Sequence, residues 1–299
     1  MSKLLARIGV PVLAVVALAG CGSSSSSSSS TATTATTSSS IDSSVAAQVP
    51  SAVKSKGTLT VAADASYAPN EFIAPDGHTI IGMDADLMKA LGEVMGLKVS
   101  VVNAKFETII PGLAAGKYDI GASSFTDTKE REKTVDFVDY FSAGISFYAK
   151  ASSPPAVKTV ADLCGKSVSV EKGTTEQEEA TAQSKKCTAS GKKAVTVLVY
   201  PDQNGANLAI STGRAELGMA DSPVAAYQVK QSGGSFALIG ETYGAAPYGL
   251  AIPKSSGMTT PVLAALKVLI ANGAYKQILT KWGVQSGAIG TPALNGAKS

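Results

Sequence analysis

Apolar residues recur along the chain with two spacings, which predict alternating strands and helices. Short apolar runs are typical of buried strands, and three of them lie at 59–62, 99–102 and 119–122. Over 84–95 the apolar residues fall on one face of a helix that ends at Gly96. A second helix ends at Gly116. This order predicts an α/β protein with a parallel sheet covered on both faces.

The same alternation returns in the second half of the chain. We predict strands at 167–170, 194–199, 217–220 and 236–239, an extended stretch at 248–252, and helices at 175–185, 204–211, 222–231, 261–271 and 275–282. Ser222 and Pro223 have the residue types of an N-cap and a first helical position, and Thr260 is a second candidate cap. Gly283 ends the last helix.

The N-terminus differs from the rest of the chain. Lys3 and Arg7 precede an apolar stretch that is too short for a permanent membrane span, which is the pattern of a signal peptide, with a membrane anchor helix as the alternative. The following residues, 22–40, are almost wholly Ser, Thr and Ala. Such a segment cannot bury apolar surface, so we expect a flexible tether.

Composition excludes several classes of protein. The formal net charge is +3 and falls to +1 without residues 1–20, and no basic block is present, so we expect no nucleic-acid partner. A single histidine argues against a His-rich metal site. His78 follows a Pro-Asp-Gly turn, and we interpret it as an exposed hairpin residue rather than a catalytic base.

Two sets of motifs resemble known families. Residues 18–21, LAGC, resemble the lipobox of bacterial lipoproteins, which implies cleavage after residue 20 and a lipid on Cys21. Residues 82–87, GMDADL, resemble the signature G-[FY]-[DE]-x-[DE]-[LIV] of bacterial solute-binding proteins of family 3. Further segments resemble that family in the same order: DASYAP at 64–69, GKYDI at 116–120, TDTKER at 126–131, GKSV at 165–168, GTT at 173–175 and KWG at 281–283.

The resemblance implies a type II periplasmic-binding-protein fold, with two α/β lobes and a hinge of two crossings near 148–150 and 247–249. The implied organisation is a signal peptide at 1–20, a lipid-anchored tether at 21–50, lobe 1 at 51–148 and 248–299, and lobe 2 at 149–247. The ligand then lies between the lobes, at the carboxyl ends of strands.

A free amino acid needs a cation and N–H donors for its carboxylate, and a carboxylate for its ammonium group. The family places an arginine for the carboxylate at Arg131, and Thr174 and Thr175 begin a helix whose free N–H groups favour an anion. For the ammonium group the resemblance implies Asp221, helped by Ser124 and Thr126. Asp64 is a further candidate, either for the ammonium group or for ordering its loop.

Four positions are expected to form the pocket for the ligand side chain. Tyr67 and Phe106 correspond to aromatic pocket positions of the family, with core packing as the alternative for Phe106. Asn70 stands where many relatives have Phe. Glu171 corresponds to a position that faces the ligand side chain, and a carboxylate there favours a basic or hydrogen-bonding ligand. Surface exposure is the alternative for Glu171.

Lipidation of Cys21 leaves Cys164 and Cys187 as a pair. An exported protein can oxidise such a pair, so we predict a disulfide. Metal binding is the alternative, but no further ligands are apparent, and we predict no metal and no cofactor.

The function implied is that of a monomeric receptor of an ABC importer. It captures a free polar or basic L-amino acid and delivers it to a permease and its ATPase, while it stays anchored to the outer face of the cytoplasmic membrane. We expect no enzymatic activity. Two alternatives stay open: a dehydratase of an aromatic amino-acid precursor with Glu171 or Asp64 as its acid or base, and an amino-acid sensor or scavenger without transport.

Overall fold

The computed structural model describes residues 40–298. The predicted signal peptide, Cys21 and most of the predicted tether therefore lie outside the described residues. The strands are β1 (Thr58–Ala63), β2 (Ser66–Tyr67), β3 (Glu71–Ile73), β4 (Ile80–Ile81), β5 (Lys98–Asn103), β6 (Ile120–Gly121), β7 (Val135–Lys150), β8 (Ser167–Glu171), β9 (Thr196–Tyr200), β10 (Leu217–Asp221) and β11 (Phe236–Pro253). The α-helices are α1 (Ser43–Gln48), α2 (Ser51–Lys56), α3 (Met83–Met95), α4 (Phe106–Ala114), α5 (Thr175–Ala189), α6 (Gln203–Ser211), α7 (Ser222–Gln231), α8 (Thr259–Ala271) and α9 (Ala274–Trp282).

One mixed sheet connects these elements in the order β5-β1-β6-β11-β7-β10-β8-β9. The outer strands are parallel, since β1 pairs with β5 and β6, and β8 pairs with β9 and β10. In the middle, β7 and β11 run antiparallel from the pair Val135–Pro253 to the pair Lys150–Phe236. The predicted α/β class and strand–helix alternation are confirmed, whereas the long central pair was not predicted.

Apolar packing forms around each parallel part of the sheet. On one side, the apolar face of α3 packs with α8 and α9, and Leu87, Leu91 and Leu266 are fully buried there. On the other side, Val168 and Leu217 pack with Cys187 of α5. Gly96 and Gly283 end α3 and α9 in the left-handed conformation, as predicted.

The central strands change partners within β7. Residues 145–149 of β7 pair with β10, and the irregular stretch opposite 243–247 of β11 lies at 142–145. Tyr148 pairs with Gly218 and Leu238, so it belongs to the regular part of the sheet. The crossing predicted near 148–150 thus lies in a regularly paired stretch of β7, and its role in a hinge stays a prediction.

The folded part begins earlier than residue 51. Helix α1 lies within the segment assigned to the tether, and its Val45 is 3% exposed, as is Val49 just beyond its end. Both valines pack into the same apolar cluster as α3 and α8. Asp42 accepts hydrogen bonds from the backbone N–H groups of Ser44 and Val45 and so caps the helix. The tether assignment to 21–50 was thus wrong for its last residues.

Two predicted caps are also corrected. The N-cap of α7 is Asp221, and Ser222 is the first helical residue, whose hydroxyl accepts a hydrogen bond from Gly144 N–H at 3.4 Å. Helix α8 begins at Thr259 with Met258 as its N-cap, so Thr260 lies inside the helix.

Cys164 and Cys187 form the predicted disulfide, which joins the segment before β8 to α5. His78 lies in the turn between β3 and β4 with its side chain 80% exposed, as predicted for a hairpin residue.

Within residues 40–298, no single helix is long and apolar enough to cross a membrane. Helices α8 and α9 reach the required length only when they are taken together across a bend of 79°.

Candidate functional site

Four strands end at one narrow cavity. Asp64 follows β1, Ser124 follows β6, Glu171 ends β8 and Asp221 ends β10. Ten predicted site residues line this cavity: Asp64, Tyr67, Phe106, Ser124, Thr126, Arg131, Glu171, Thr174, Thr175 and Asp221. The topology therefore brings them together, while their roles toward a ligand remain predictions.

Arg131 reaches across the cavity. Its Nη1 donates to the carbonyl of Thr126 at 2.7 Å, and its Nη2 donates to the carbonyl of Gly173 at 3.0 Å. The guanidinium carbon lies 5.3 Å from the ring centre of Phe106 and 5.5 Å from that of Phe125. Burial lowers the pKa of Arg131 from its high ordinary value, but an arginine stays charged. Since a guanidinium has five N–H donors, this cation keeps further donors for an anion.

The N-terminus of α5 lies beside this cation. Thr174 is the N-cap, and its hydroxyl oxygen accepts from Gln177 N–H at 3.2 Å and donates to the carbonyl of Glu171 at 2.9 Å. The hydroxyl of Thr174 is therefore engaged in capping. What the helix offers to an anion is its first-turn backbone N–H groups and its dipole.

Gly173 allows this helix to approach the opposite wall. Its φ is +82°, and a Cβ there would lie 2.8 Å from the Cβ of Glu107 in α4. Lys172 next to it forms an ion pair of 3.3 Å with Glu107. Any side chain at position 173 would force the two walls apart.

Asp221 and Tyr67 form a second bridge across the cavity. The phenol of Tyr67 donates to Oδ2 of Asp221 at 2.9 Å, and Asp221 N–H donates back to the phenolic oxygen at 3.2 Å. Asp221 is 6% exposed. Burial, and next the nearby charge of Glu176, raise the pKa of Asp221 well above its ordinary value.

Asp64 orders the local backbone. Its Oδ1 accepts from the N–H and hydroxyl of Ser66, and its Oδ2 accepts from Phe106 N–H at 3.1 Å. Burial raises its pKa. These bonds occupy both oxygens of Asp64, which matches the loop-ordering alternative.

Two further acidic residues, Glu171 and Glu176, line the cavity. Glu171 is 2% exposed, which excludes the surface alternative, and Glu176 of α5, which was not predicted, is also 2% exposed. Each has one oxygen, Oε1, without a hydrogen-bond partner among the described residues. Burial raises the pKa of both carboxyls, and neighbouring acidic groups raise that of Glu171 further.

The sequence position of Glu176 could have marked it as a candidate site residue. It stands directly after Gly173-Thr174-Thr175, in the first turn of a predicted helix, where an acidic residue also serves the helix dipole. That ordinary explanation hides a residue whose side chain turns inward.

Two other positions complete the wall. Phe106 lines the cavity and also stacks on Phe125, with ring centres 4.6 Å apart, so packing and pocket roles coexist. Asn70 does not reach the cavity. It is fully buried behind Ser124 and donates to the Ser124 hydroxyl at 2.9 Å, because β3 and the start of α3 enclose it. The prediction that Asn70 forms the pocket floor is not supported by this position.

Comparison with known proteins identifies the family. Residues 59–285 match the bacterial extracellular solute-binding proteins, family 3. The chain belongs to this family. Its fold agrees, because solved arginine-binding proteins match it with TM-scores of 0.69 to 0.70.

Three relatives of this solute-binding protein are informative. The arginine-binding protein ArgT of Corynebacterium glutamicum is 37% identical over 252 residues, which cover 84% of this chain and 82% of ArgT. An ancestral arginine-binding protein solved with arginine matches with a TM-score of 0.69 and 33% identity, covering 76% of this chain and 98% of the other. An ancestral amino-acid-binding protein, described as a precursor of cyclohexadienyl dehydratase, matches with a TM-score of 0.70 and 32% identity, covering 77% and 97%.

The cavity of this solute-binding protein brings two kinds of charge together. Arg131 and the backbone N–H groups at the start of α5 form a cationic corner, while the carboxyl groups of Glu171, Glu176 and Asp221 form an acidic wall, of which Glu176 and Asp221 lie close enough to interact with the charge of Arg131. Within residues 40–298, no group of three or more His, Cys, Asp or Glu is arranged to hold a metal ion. The cavity is therefore suited to a small molecule with both a carboxylate and cationic groups.

Proposed function

We propose that this solute-binding protein captures a free basic L-amino acid, with L-arginine as the preferred ligand, for an ABC importer. The observation that carries the proposal is the pair of buried acceptors, Glu171 Oε1 and Glu176 Oε1, in the same cavity as Arg131. A buried acceptor without a donor is costly, and a ligand with several N–H groups removes that cost.

The α-carboxylate of the ligand is proposed to bind at the cationic corner. Arg131 is held by two carbonyl groups, so its orientation is fixed before the ligand arrives. A preorganised guanidinium loses little conformational entropy on binding and can donate two parallel hydrogen bonds to a carboxylate. The first-turn N–H groups of α5 at Thr175 add donors to the same oxygens.

The α-ammonium group is proposed to bind at Asp221. Burial, and next the charge of Glu176, raise the pKa of this carboxyl more than Arg131 lowers it, so an ammonium group beside it would stabilise its charged form. Thr126 and Ser124 line the adjacent wall and supply oxygen acceptors. Asp64 is assigned to the loop rather than to the ligand.

The ligand side chain is proposed to extend along Phe106 and Tyr67 toward Glu171. An aromatic face attracts a guanidinium, and a buried carboxylate can receive its N–H groups in pairs. The names of the relatives agree with this assignment, since both ArgT and the arginine-bound ancestral protein are described as arginine-binding.

We further propose that residues on the two sides of the central strands form two lobes that close on the ligand. Contacts across the cavity support a closed arrangement: Gln203 N–H donates to Ser66 Oγ at 3.0 Å, and Tyr67 donates to Asp221. The irregular stretches of β7 and β11, at 142–145 and 243–247, are the proposed hinge.

The placement in the cell is part of the same proposal. Membership of an extracellular family agrees with export. We propose that residues 1–20 act as a signal peptide, that Cys21 carries the lipid, and that the protein is a monomer that docks on a permease with its ATPase.

Isothermal titration of the full chain against the twenty common amino acids tests the ligand class. We expect saturable binding of L-arginine, weaker binding of L-lysine and L-histidine, and no binding of acidic or aliphatic amino acids. No heat with arginine, lysine or histidine would overturn the proposal.

A dehydratase is the second candidate, because one solved relative is described as a dehydratase precursor and because Glu171 is a buried acid with a raised pKa. Incubation with prephenate or arogenate, followed by product analysis, distinguishes the two. We expect no product above the uncatalysed rate, and turnover abolished by Glu171→Gln would favour the enzyme.

A further inference from the structure

Two carboxyl groups lie in contact behind the cavity wall and do not line it. Glu71 comes from β3 and Asp84 from the first turn of α3, and both are fully buried. The hydroxyl oxygen of Ser124 lies 3.3 Å from both Oε2 of Glu71 and Oδ2 of Asp84, so the two carboxyl groups are neighbours, and the charge of Asp84 adds to burial in raising the pKa of Glu71. Two ionised carboxylates in contact in a buried site repel strongly, so the pair must hold one proton.

The backbone brings these two groups together. Gly82, just before α3, packs so closely on the preceding loop that a Cβ there would lie 2.1 Å from the carbonyl oxygen of Asn70. The N–H of Asp84 donates to the same carbonyl at 2.9 Å. The start of α3 is therefore fixed against the residue that precedes Glu71.

Hydrogen bonding assigns the proton within the pair. Asp84 accepts from the N–H of Ser124 at 2.8 Å and from the phenol of Tyr140 at 2.7 Å, so it acts as the ionised acceptor. Glu71 contacts the hydroxyl groups of Ser123 at 3.0 Å and Ser124 at 3.3 Å, and the Ser124 hydroxyl lies equally close, at 3.3 Å, to Asp84. The donors around Asp84 therefore assign the proton to Glu71; burial raises the pKa of both carboxyls, and the charge of Asp84 raises that of Glu71 further.

This network meets the cavity at Ser124, whose backbone φ of +49° is in the left-handed region that residues other than glycine rarely adopt. Its N–H is held by Asp84, and its hydroxyl accepts from Asn70. We propose that the Glu71–Asp84 pair is a positioning device that imposes this conformation on Ser124 and so shapes the wall that receives the ligand. The expected effect on ligand affinity rests on the proposed function, whereas the protonation state of the Glu71–Asp84 pair does not.

Two isosteric variants separate positioning from simple packing. In the variant Glu71→Gln, the new amide can still donate to Asp84 and accept from Ser123. We therefore expect an affinity for L-arginine within threefold of wild type. In the variant Asp84→Asn, the new amide has a single acceptor oxygen for the three donors of Ser124, Tyr140 and Glu71. We therefore expect at least a tenfold loss of affinity for L-arginine. The variant should still unfold in a cooperative thermal transition. Wild-type affinity in Asp84→Asn, or equal losses in both variants, would overturn the proposal.

Two further measurements cover the remaining cases. If Asp84→Asn does not fold, the variant Asn70→Ala replaces it, because it removes the donor to the Ser124 hydroxyl. We expect this variant to lose at least threefold in affinity for L-arginine. An unchanged affinity would count against the proposal. Carbon-13 NMR of the carboxyl groups in the ligand-free chain at pH 7 tests the pair alone, and we expect a protonated Glu71 and an ionised Asp84. The reverse assignment overturns the inference, whereas failure of wild type to bind any amino acid overturns only the proposed function.

Discussion

The phenol of Tyr67 and the carboxylate of Asp221 are joined by a hydrogen bond of 2.9 Å although they are 154 positions apart in the sequence. The backbone N–H of Asp221 donates in return to the phenolic oxygen, so two hydrogen bonds join these residues. Because Tyr67 lies in β2 and Asp221 ends β10, this contact joins two walls of the cavity in which we propose that the ligand binds.

Tyr67→Phe keeps the ring but removes both bonds to Asp221. We expect L-arginine affinity to fall roughly tenfold, since a hydrogen bond to a charged group contributes about 1.5 kcal/mol or more. Titration calorimetry measures the affinity, and small-angle scattering tests whether the ligand-free chain becomes more open. Tyr200→Phe, at the end of β9, is the matched control. An unchanged affinity in Tyr67→Phe would show that the contact does not help closure.

Glu171 is predicted to select a positive ligand side chain. L-citrulline has nearly the shape of L-arginine without its charge, so the ratio of their affinities reports this selection directly. We expect Glu171→Gln to reduce that ratio by roughly 10- to 100-fold, the range for losing a charge-assisted hydrogen bond. Glu93→Gln, on the exposed side of α3, should leave the ratio unchanged. The same ratio in Glu171→Gln as in wild type would refute a role for Glu171 in charge selection.

The disulfide between Cys164 and Cys187 closes a loop with a sequence separation of 23. In the chain-entropy description, a loop of this size stabilises the folded state by about 3 kcal/mol. The double variant Cys164→Ser/Cys187→Ser should lose about that much free energy of unfolding in a urea titration. Cys21→Ser keeps the bond and is the control. Equal stability of the double variant and this control would contradict the prediction.

A second acidic pair predicts how stability depends on pH. Burial, followed by the charge of Glu132, raises the pKa of Asp127 to about 6, and burial, followed by the charge of Asp127, raises the pKa of Asp139 to about 7. Because both folded-state values lie above the ordinary value, the stability they contribute is full below about pH 4 and is lost as the pH rises through 6 and 7.

We therefore expect the Tm of wild type to fall between pH 5 and pH 8, and Asp139→Asn to reduce that fall by roughly 3 °C or more. Differential scanning calorimetry at several pH values measures it, with Glu93→Gln as the control. The C-terminal segment takes part, since Gly296 N–H donates to Asp139 and Ala297 N–H donates to Asp127, each at 3.1 Å. A variant whose Tm varies with pH just as wild type does would exclude the pair as the cause.

The sequence predicted what is encoded locally. The apolar face of α3 and the glycine that ends it are features of one segment, so periodicity located them. The pairing of β7 with β11 joins residues more than 80 positions apart, and the stretch GETYGAAP at 240–247 looks like a loop in isolation. Long-range pairing overrode that local pattern.

The site shows the same division. Arg131, Asp221 and Glu171 were predicted because family motifs mark their positions. Glu176 was missed because a first-turn acid has an ordinary explanation, and Asn70 was misplaced because only the packing of β3 against α3 decides which way it lies. The start of the folded part was misjudged because two valines in a Ser- and Ala-rich segment carry too little pattern to predict α1.

We propose above all that Arg131 binds the α-carboxylate of a free basic amino acid. Agmatine is arginine without that carboxylate, so calorimetric titration of both ligands into wild type, Arg131→Ala and the exposed control Arg214→Ala isolates the contact. We predict that wild type and Arg214→Ala bind L-arginine at least 100-fold more tightly than agmatine, and that this preference collapses in Arg131→Ala. Equal binding of agmatine and L-arginine by wild type, or an undiminished preference in Arg131→Ala, would contradict the account.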